Sequence, residues 1–207
     1  MLKRGSAALA GLLTFGLAAL VNAQSPDRAI LRAGTLLDGH GGVQRNVDIV
    51  ISGRRIEAIR PAGNERPTHD LSSFTVMPGG IDTHVHINWH FDPDGRTHHL
   101  SAQEETREQA LQYALDNARI TLSHGITTVQ SLGAAIDGAV KAALQSGRSP
   151  GPRLITSLGS ISERTGGPEQ LRAAVRRAVD NGADVIKIFA SASIRDGGAA
   201  TMTLDQL

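Results

Sequence analysis

Met77-Pro78-Gly79-Gly80-Ile81-Asp82-Thr83-His84-Val85-His86 is the stretch on which the reading of this chain turns. Its pattern predicts a strand over 74–87 that carries two histidines, one residue apart, at its far end. Side chains two apart on a strand share a face and stand roughly 6 to 7 Å apart along it, so both imidazoles can reach one ion at about 2.0–2.1 Å. Val85 turns to the opposite face and gives the pair an apolar back. An ordinary pair of histidines, satisfied by backbone or water, is the bland alternative, and His-x-His alone does not separate the two. The Pro-Gly-Gly-Ile-Asp-Thr prefix favours the metal clamp.

Upstream, Ala29-Ile30-Leu31-Arg32, Val47 to Ile51 and Arg55 to Ile59 are short strand patterns, punctuated by Asp38-Gly39-His40-Gly41-Gly42 and Ser52-Gly53. They predict a small β-sandwich-like module over 24–73. Ala62 to Asp70 is polar, and Pro61 and Pro67 argue against regular structure there. At the start, Lys3 and Arg4, the apolar run Ala7 to Val21 and the small-residue site Val21-Asn22-Ala23 read as a signal peptide over 1–23, cleaved after Ala23. The run has 15 residues where a spanning helix wants about 20, so the expectation is a periplasmic or secreted protein with no stable membrane anchor after cleavage.

Cleavage leaves 19 basic against 20 acidic residues, interspersed, which speaks against nucleic acid or an anionic membrane as partner. The chain has no cysteine, which excludes disulfides, a lipidated cysteine and thiolate metal ligands, so any metal is held by nitrogen and oxygen.

Downstream the rhythm becomes strand, helix, strand, helix. After a His- and Asp-rich loop, Asn88 to His99, a helix is expected to open at Ser101 with Glu104 completing a capping box. Leu111, Leu115, Ala118 and Leu122 form its inward stripe, and Gly125 ends it. Ile126 to Val129 is the second strand, Asp137 to Gln145 a helix, and Arg153 to Thr156 the third strand. Pro168 opens another helix with Leu171, Val175 and Val179 on its buried face; Gly182 closes it, and Asp184 to Phe189 is the fourth strand.

Strands joined by helices run parallel with right-handed crossovers, which makes an α/β fold. His84, His86 and Lys187 fall at or near strand ends, where a parallel (β/α) barrel of the TIM type keeps its chemistry, and no Gly-rich phosphate fingerprint supports a nucleotide-binding sheet instead. Residues 74–207 number 134 where eight units need about 250, so only the first four βα units are expected, half a barrel with open strand edges suited to a second chain or a homo-oligomer.

Lys187, framed by Ile186 and Ile188, is costly to bury as an ammonium ion. Three readings are open: a lysine snorkelling to water, a Schiff-base lysine, or one carboxylated by carbon dioxide into a metal-bridging anion. His90, His98 and His99 are expected to be solvated loop residues, and His124, beside Gly125, a favourable contact at a helix end.

Pro78 to His86, Gly125-Ile126-Thr127-Thr128-Val129 and Gly182 to Ile188 together resemble the amidohydrolase superfamily, with the imidazolonepropionase-like branch and its exported prolidase-type dipeptidases most similar. The similarity runs from about Ala29 to Leu207. It implies a metal-dependent hydrolase of amide bonds in small-molecule or dipeptide-like substrates, in which His84 and His86 bind the buried divalent ion and a carbamate on Lys187 bridges to a second. Zinc is the default; manganese, iron and cobalt suit the same ligands. The family's two further histidines, and the aspartate that shuttles protons, have no counterpart before Leu207, and relatives complete the β module with residues after the barrel, so the resemblance implies that the module too is incomplete and the chain reads as the N-terminal part of such an enzyme. Gln130-Ser131 and Gly166-Gly167-Pro168 depart from the Arg-Asp and Gly-Gly-His common in relatives, so substrate preference does not carry over. An inactive exported remnant or interaction module and a Schiff-base lyase using Lys187 are the other function classes.

Overall fold

A computed structural model describes residues 28–98 and 104–207. The expected signal peptide, His99 and the expected cap at Ser101 lie outside the described residues. The fold divides into two compact units, one ending at Pro78 and one running from Gly79 to Leu207.

The first unit is a mixed sheet of β1 (Arg28–Leu37), β2 (Val43–Ser52), β3 (Arg55–Pro61) and β4 (His69–Val76) in the order β3-β2-β1-β4. The β1–β2 and β2–β3 pairs are antiparallel, while β1 and β4 are parallel. Among the described residues the expected sandwich is thus one four-stranded sheet. The strand predicted over 74–87 is divided as well. Its first residues complete β4, Met77 to Gly79 interrupt it, and β5 begins at Gly80.

Gly34 explains why β1 accepts this partner: a Cβ there would lie 2.0 Å from the Ser72 carbonyl oxygen. Buried Ala33, Leu36, Val47 and Ile49 form the core of the unit, with Leu31, Ile51 and Val76 packed against them. Within the same sheet, fully buried Asp48 accepts from Arg32 Nε at 2.8 Å and Nη2 at 3.1 Å, and from the Gly63 amide at 3.2 Å. Arg32 holds its carboxyl below the usual carboxylate range.

In the second unit, β5 (Gly80–Val85), β6 (Ile126–Ser131) and β7 (Arg153–Thr156) form a parallel sheet in that order. The crossovers contain α1 (Arg107–Ser123) and α2 (Asp137–Gln145). Helix α1 starts later than Ser101 predicts. Thr106 is its N-cap, and Thr106 with Gln109 makes the capping box that Ser101 and Glu104 were expected to make. Its C-terminus behaves as expected: Gly125 takes φ +83°, and His124 Nδ1 lies 2.9 Å from the Ile120 carbonyl oxygen. Ala114, Ala118, Val129, Val140 and Leu154 are buried with Ile87 in one core, each apolar side chain of Val or Leu size contributing about 1.5–3 kcal/mol.

The fourth strand departs from expectation. Asp184 and Val185 donate backbone hydrogen bonds to the Thr156 carbonyl, so the segment starts beside β7. The regular part, β9 (Lys187–Phe189), pairs in parallel with β8 (Ser160–Ser162) as a separate two-stranded sheet. Leu158, at φ +56°, lies in the bend between β7 and β8. Helix α3 (Pro168–Asp180) precedes β9, with Pro168 at its first turn. Leu204–Gln206 form a single 3-10 turn. No helix of the described residues is long and apolar enough to cross a membrane.

Candidate metal centre

The segment that carries the histidine pair is held by its own side chains. The Asp82 carboxylate accepts from the His84 amide at 3.0 Å, and the β5–β6 register shifts between Asp82 and Val85. Such irregularities re-aim side chains. Val85 and Ile87 pack into the core with α1, so the alternation leaves His84 exposed and His86 half-buried on the other face. Their ring centroids are 5.6 Å apart and tilted by 58°.

Beyond His86 the chain turns at once, with the Trp89 amide donating to the His86 carbonyl at 2.9 Å and the indole stacked on the imidazole at 4.1 Å. Asn117 on α1 pins this turn, its amide donating to the carbonyls of Ile87 at 2.9 Å and Trp89 at 2.8 Å. Two imidazoles on one face, at the C-terminal end of a parallel strand, fit a borderline divalent ion in a chain that offers no thiolate.

Under the strand ends lies a buried polar group. Ser131, Asp137, Thr156 and Ser157 are all at most 2% exposed. Ser131 Oγ accepts from the Ile87 amide at 3.3 Å, and Thr156 Oγ1 donates to Asp137 Oδ2 at 3.0 Å. Burial pushes the Asp137 carboxyl above its usual value, against the opposing pull of Ser131, Thr156 and the nearby His86. Ser131 is therefore structural, and so is its neighbour Gln130, whose amide donates to the Thr83 carbonyl at 3.1 Å. Sequence reasoning noted both only as departures from relatives and gave Asp137 no role beyond starting a helix.

Lys187 lies on the β8–β9 sheet, partly buried, with Nζ 4.8 Å from the centroid of the Phe189 ring on the same strand face. It also lines a cleft with Ser157, Ser160, Arg177 and Asn181. The histidines are thus neighbours on β5 and its continuation, whereas Lys187 belongs to a separate sheet.

The loop histidines are a correction. His90 and His98 are not solvated: their side chains are 8% and 17% exposed. A small hairpin folds the loop back, with Asp92 and Arg96 hydrogen-bonded, Phe91 bridged to Thr97, and the His98 amide donating to the His90 carbonyl at 3.0 Å. The signal available in sequence was Asp92-Pro93-Asp94-Gly95, a turn between residues that it then brings together.

Residues 75–204 match the model of the amidohydrolase family. Over 87 residues the chain is 36% identical to an adenine deaminase of Serratia proteamaculans (strain 568), covering 40% of this chain and 15% of that protein. Among solved structures it resembles a Xaa-Pro dipeptidase with methionine bound in its active site, at TM-score 0.74 and 26% identity, over 86% of this chain and 52% of that one. A prolidase complexed with N-methylphosphonate-L-proline has the same fold at TM-score 0.63 and 24% identity, with 86% and 50% of the two chains covered. The chain spans about half the length of these solved structures. With the family model matched over most of its length, the chain belongs to the amidohydrolase family.

Proposed function

We propose that this chain carries the first metal ligands of a hydrolase that cleaves C–N bonds in small amides or dipeptide-like substrates. The observation that carries the reading is the His84–His86 pair, on one face at the C-terminal end of β5, inside the stretch that matches the family model. In this reading His84 and His86 hold a divalent ion, zinc by default. Lys187, if carboxylated by carbon dioxide, would supply oxygen ligands to the metal centre; its partial burial and its place in the family-matched stretch support that assignment.

A divalent ion bound there supplies Lewis acidity, polarising a carbonyl and bringing the pKa of a water towards neutrality. The protein's part is orientation. Val85 and Ile87 anchor the strand in the core, the Asp82 carboxylate fixes the His84 backbone, and Trp89 stacks against His86 and limits its rotation. Asn117 holds the turn that sets the position of Trp89. Export through the N-terminal pattern of residues 1–23 is part of the same proposal and rests on sequence alone.

The test is hydrolysis by the zinc-loaded chain of a panel of Xaa-Pro and other dipeptides and N-acyl amides, followed by chromatography of the released amino acid. The reading predicts release that a chelator abolishes and that His86→Asn removes. Release indifferent to chelator and to His86→Asn contradicts it, and so does a zinc stoichiometry that His86→Asn leaves unchanged.

A further inference from the structure

We propose that the loop between β5 and α1 binds its own divalent transition-metal ion, distinct from the His84–His86 pair, through His90 Nε2, His98 Nε2 and Glu105 Oε2. His90, Asp92 and His98 offer ligand atoms that all lie within 4.8 Å of one another, and Glu105 closes the group from the chain segment just before α1.

Protonation follows from the hydrogen bonds. His98 Nδ1 lies 2.7 Å from Asp92 Oδ1, and His90 Nδ1 lies 3.2 Å from the Asn88 carbonyl oxygen. Each δ nitrogen therefore donates, which leaves Nε2 of each ring as the nitrogen that can offer a lone pair to a metal ion. Both ε nitrogens lie near the same carboxylate oxygen: Glu105 Oε2 is 3.5 Å from His90 Nε2 and 3.7 Å from His98 Nε2. That oxygen is buried and accepts no hydrogen bond from the described residues. The three atoms thus converge, and a cation among them would satisfy the buried carboxylate oxygen.

The separations suit an ion. Ligands at about 2.0–2.2 Å in a tetrahedral site stand roughly 3.3–3.6 Å from one another. The shell is also supported. Asp92 orients His98 in the carboxylate–histidine–metal manner, and His90 is stacked between His98 at 4.6 Å and Tyr113 of α1 at 3.7 Å. Two imidazoles and one carboxylate favour a borderline ion such as Zn²⁺ or Co²⁺ over Mg²⁺ or Ca²⁺ and leave a fourth position for water. Such an ion would staple the loop that follows the His84–His86 clamp onto the start of α1.

The experiment is Co²⁺ and Zn²⁺ titration of the His84→Asn/His86→Asn chain by calorimetry and visible absorption, with folding checked by circular dichroism. We expect one retained equivalent with a tetrahedral cobalt spectrum, lost on adding His90→Asn and His98→Asn, and weakened about 10–100-fold by Asp92→Asn. Should the clamp variant not fold, His98→Asn in the otherwise native chain must lower zinc stoichiometry by one. The inference is overturned if the folded clamp variant binds no ion, if its ion survives loss of His90 and His98, or if zinc stoichiometry in the native chain is unchanged by His98→Asn. It is also overturned if both rings titrate as a proton-sharing pair whose shifts added zinc does not perturb. Hydrolytic activity is not the readout, so this site and the proposed function fail separately.

Discussion

Replacing Gly79 by alanine tests whether the glycines before the histidine strand are there for close packing. A Cβ at Gly79 would lie 2.1 Å from Thr127 Cγ2, 2.2 Å from Oγ1 and 2.7 Å from Cβ. Ordinary contact needs about 3.4–4 Å, and because Thr127 Cβ itself is too close, no rotation about χ1 clears the overlap. The strand end must move by more than about 1 Å, and overpacking of this kind costs about 1–3 kcal/mol. At about 2 kcal/mol the folded-to-unfolded ratio falls some thirtyfold. Gly80 is the internal control: its added Cβ would meet Ile126 Cδ1 at 2.6 Å, the movable end of a side chain, so Gly80→Ala should cost less.

The assay is urea unfolding followed by the fluorescence of Trp89, the one tryptophan of the chain, which is stacked on His86 and so reports the clamp. Thr127→Gly, destabilising alone by about 1 kcal/mol, should rescue Gly79→Ala by at least about 1 kcal/mol in a double-mutant cycle. Gly79→Ala as stable as the parent within about 0.5 kcal/mol, or costs that simply add, would refute the steric argument.

Two further outcomes follow from the same geometry. Asn117→Ala removes both donors that pin the turn after His86, and should cost about 1–2 kcal/mol in urea unfolding and weaken zinc binding at the His84–His86 pair. Asp48 has its folded pKa depressed by Arg32, so its stabilisation is present above the ordinary aspartate value and is lost as pH falls through the depressed one. Asp48→Asn should therefore lower the thermal midpoint at pH 7, with the gap to the parent closing as the pH drops below about 4; a gap independent of pH would count against the ion pair.

Much of the βα unit was legible because its signals are local. Asp137 to Gln145 and Arg153 to Thr156 have the limits that periodicity and flanking glycines predict, and Pro168 opens its helix. What sequence missed depends on residues far apart in the chain. Nothing within Phe74 to Val76 shows that these residues pair with β1, because the permission comes from Gly34, about 40 residues earlier. The fourth strand pairs with Ser160–Ser162, beyond the left-handed Leu158, and no pattern within Asp184 to Phe189 names that partner. The clamp was readable as alternation, since His84, Val85, His86 and Ile87 obey the period of a strand. The His90, His98 and Glu105 group was not, because it is assembled by a hairpin and a helix start that no periodicity links.

Anomalous diffraction at the zinc edge from zinc-loaded crystals tests the central claim most directly. The account predicts a peak about 2.0–2.1 Å from an imidazole nitrogen of both His84 and His86. Zinc at the His90–His98 loop with none between His84 and His86, or no bound zinc at all, would contradict it.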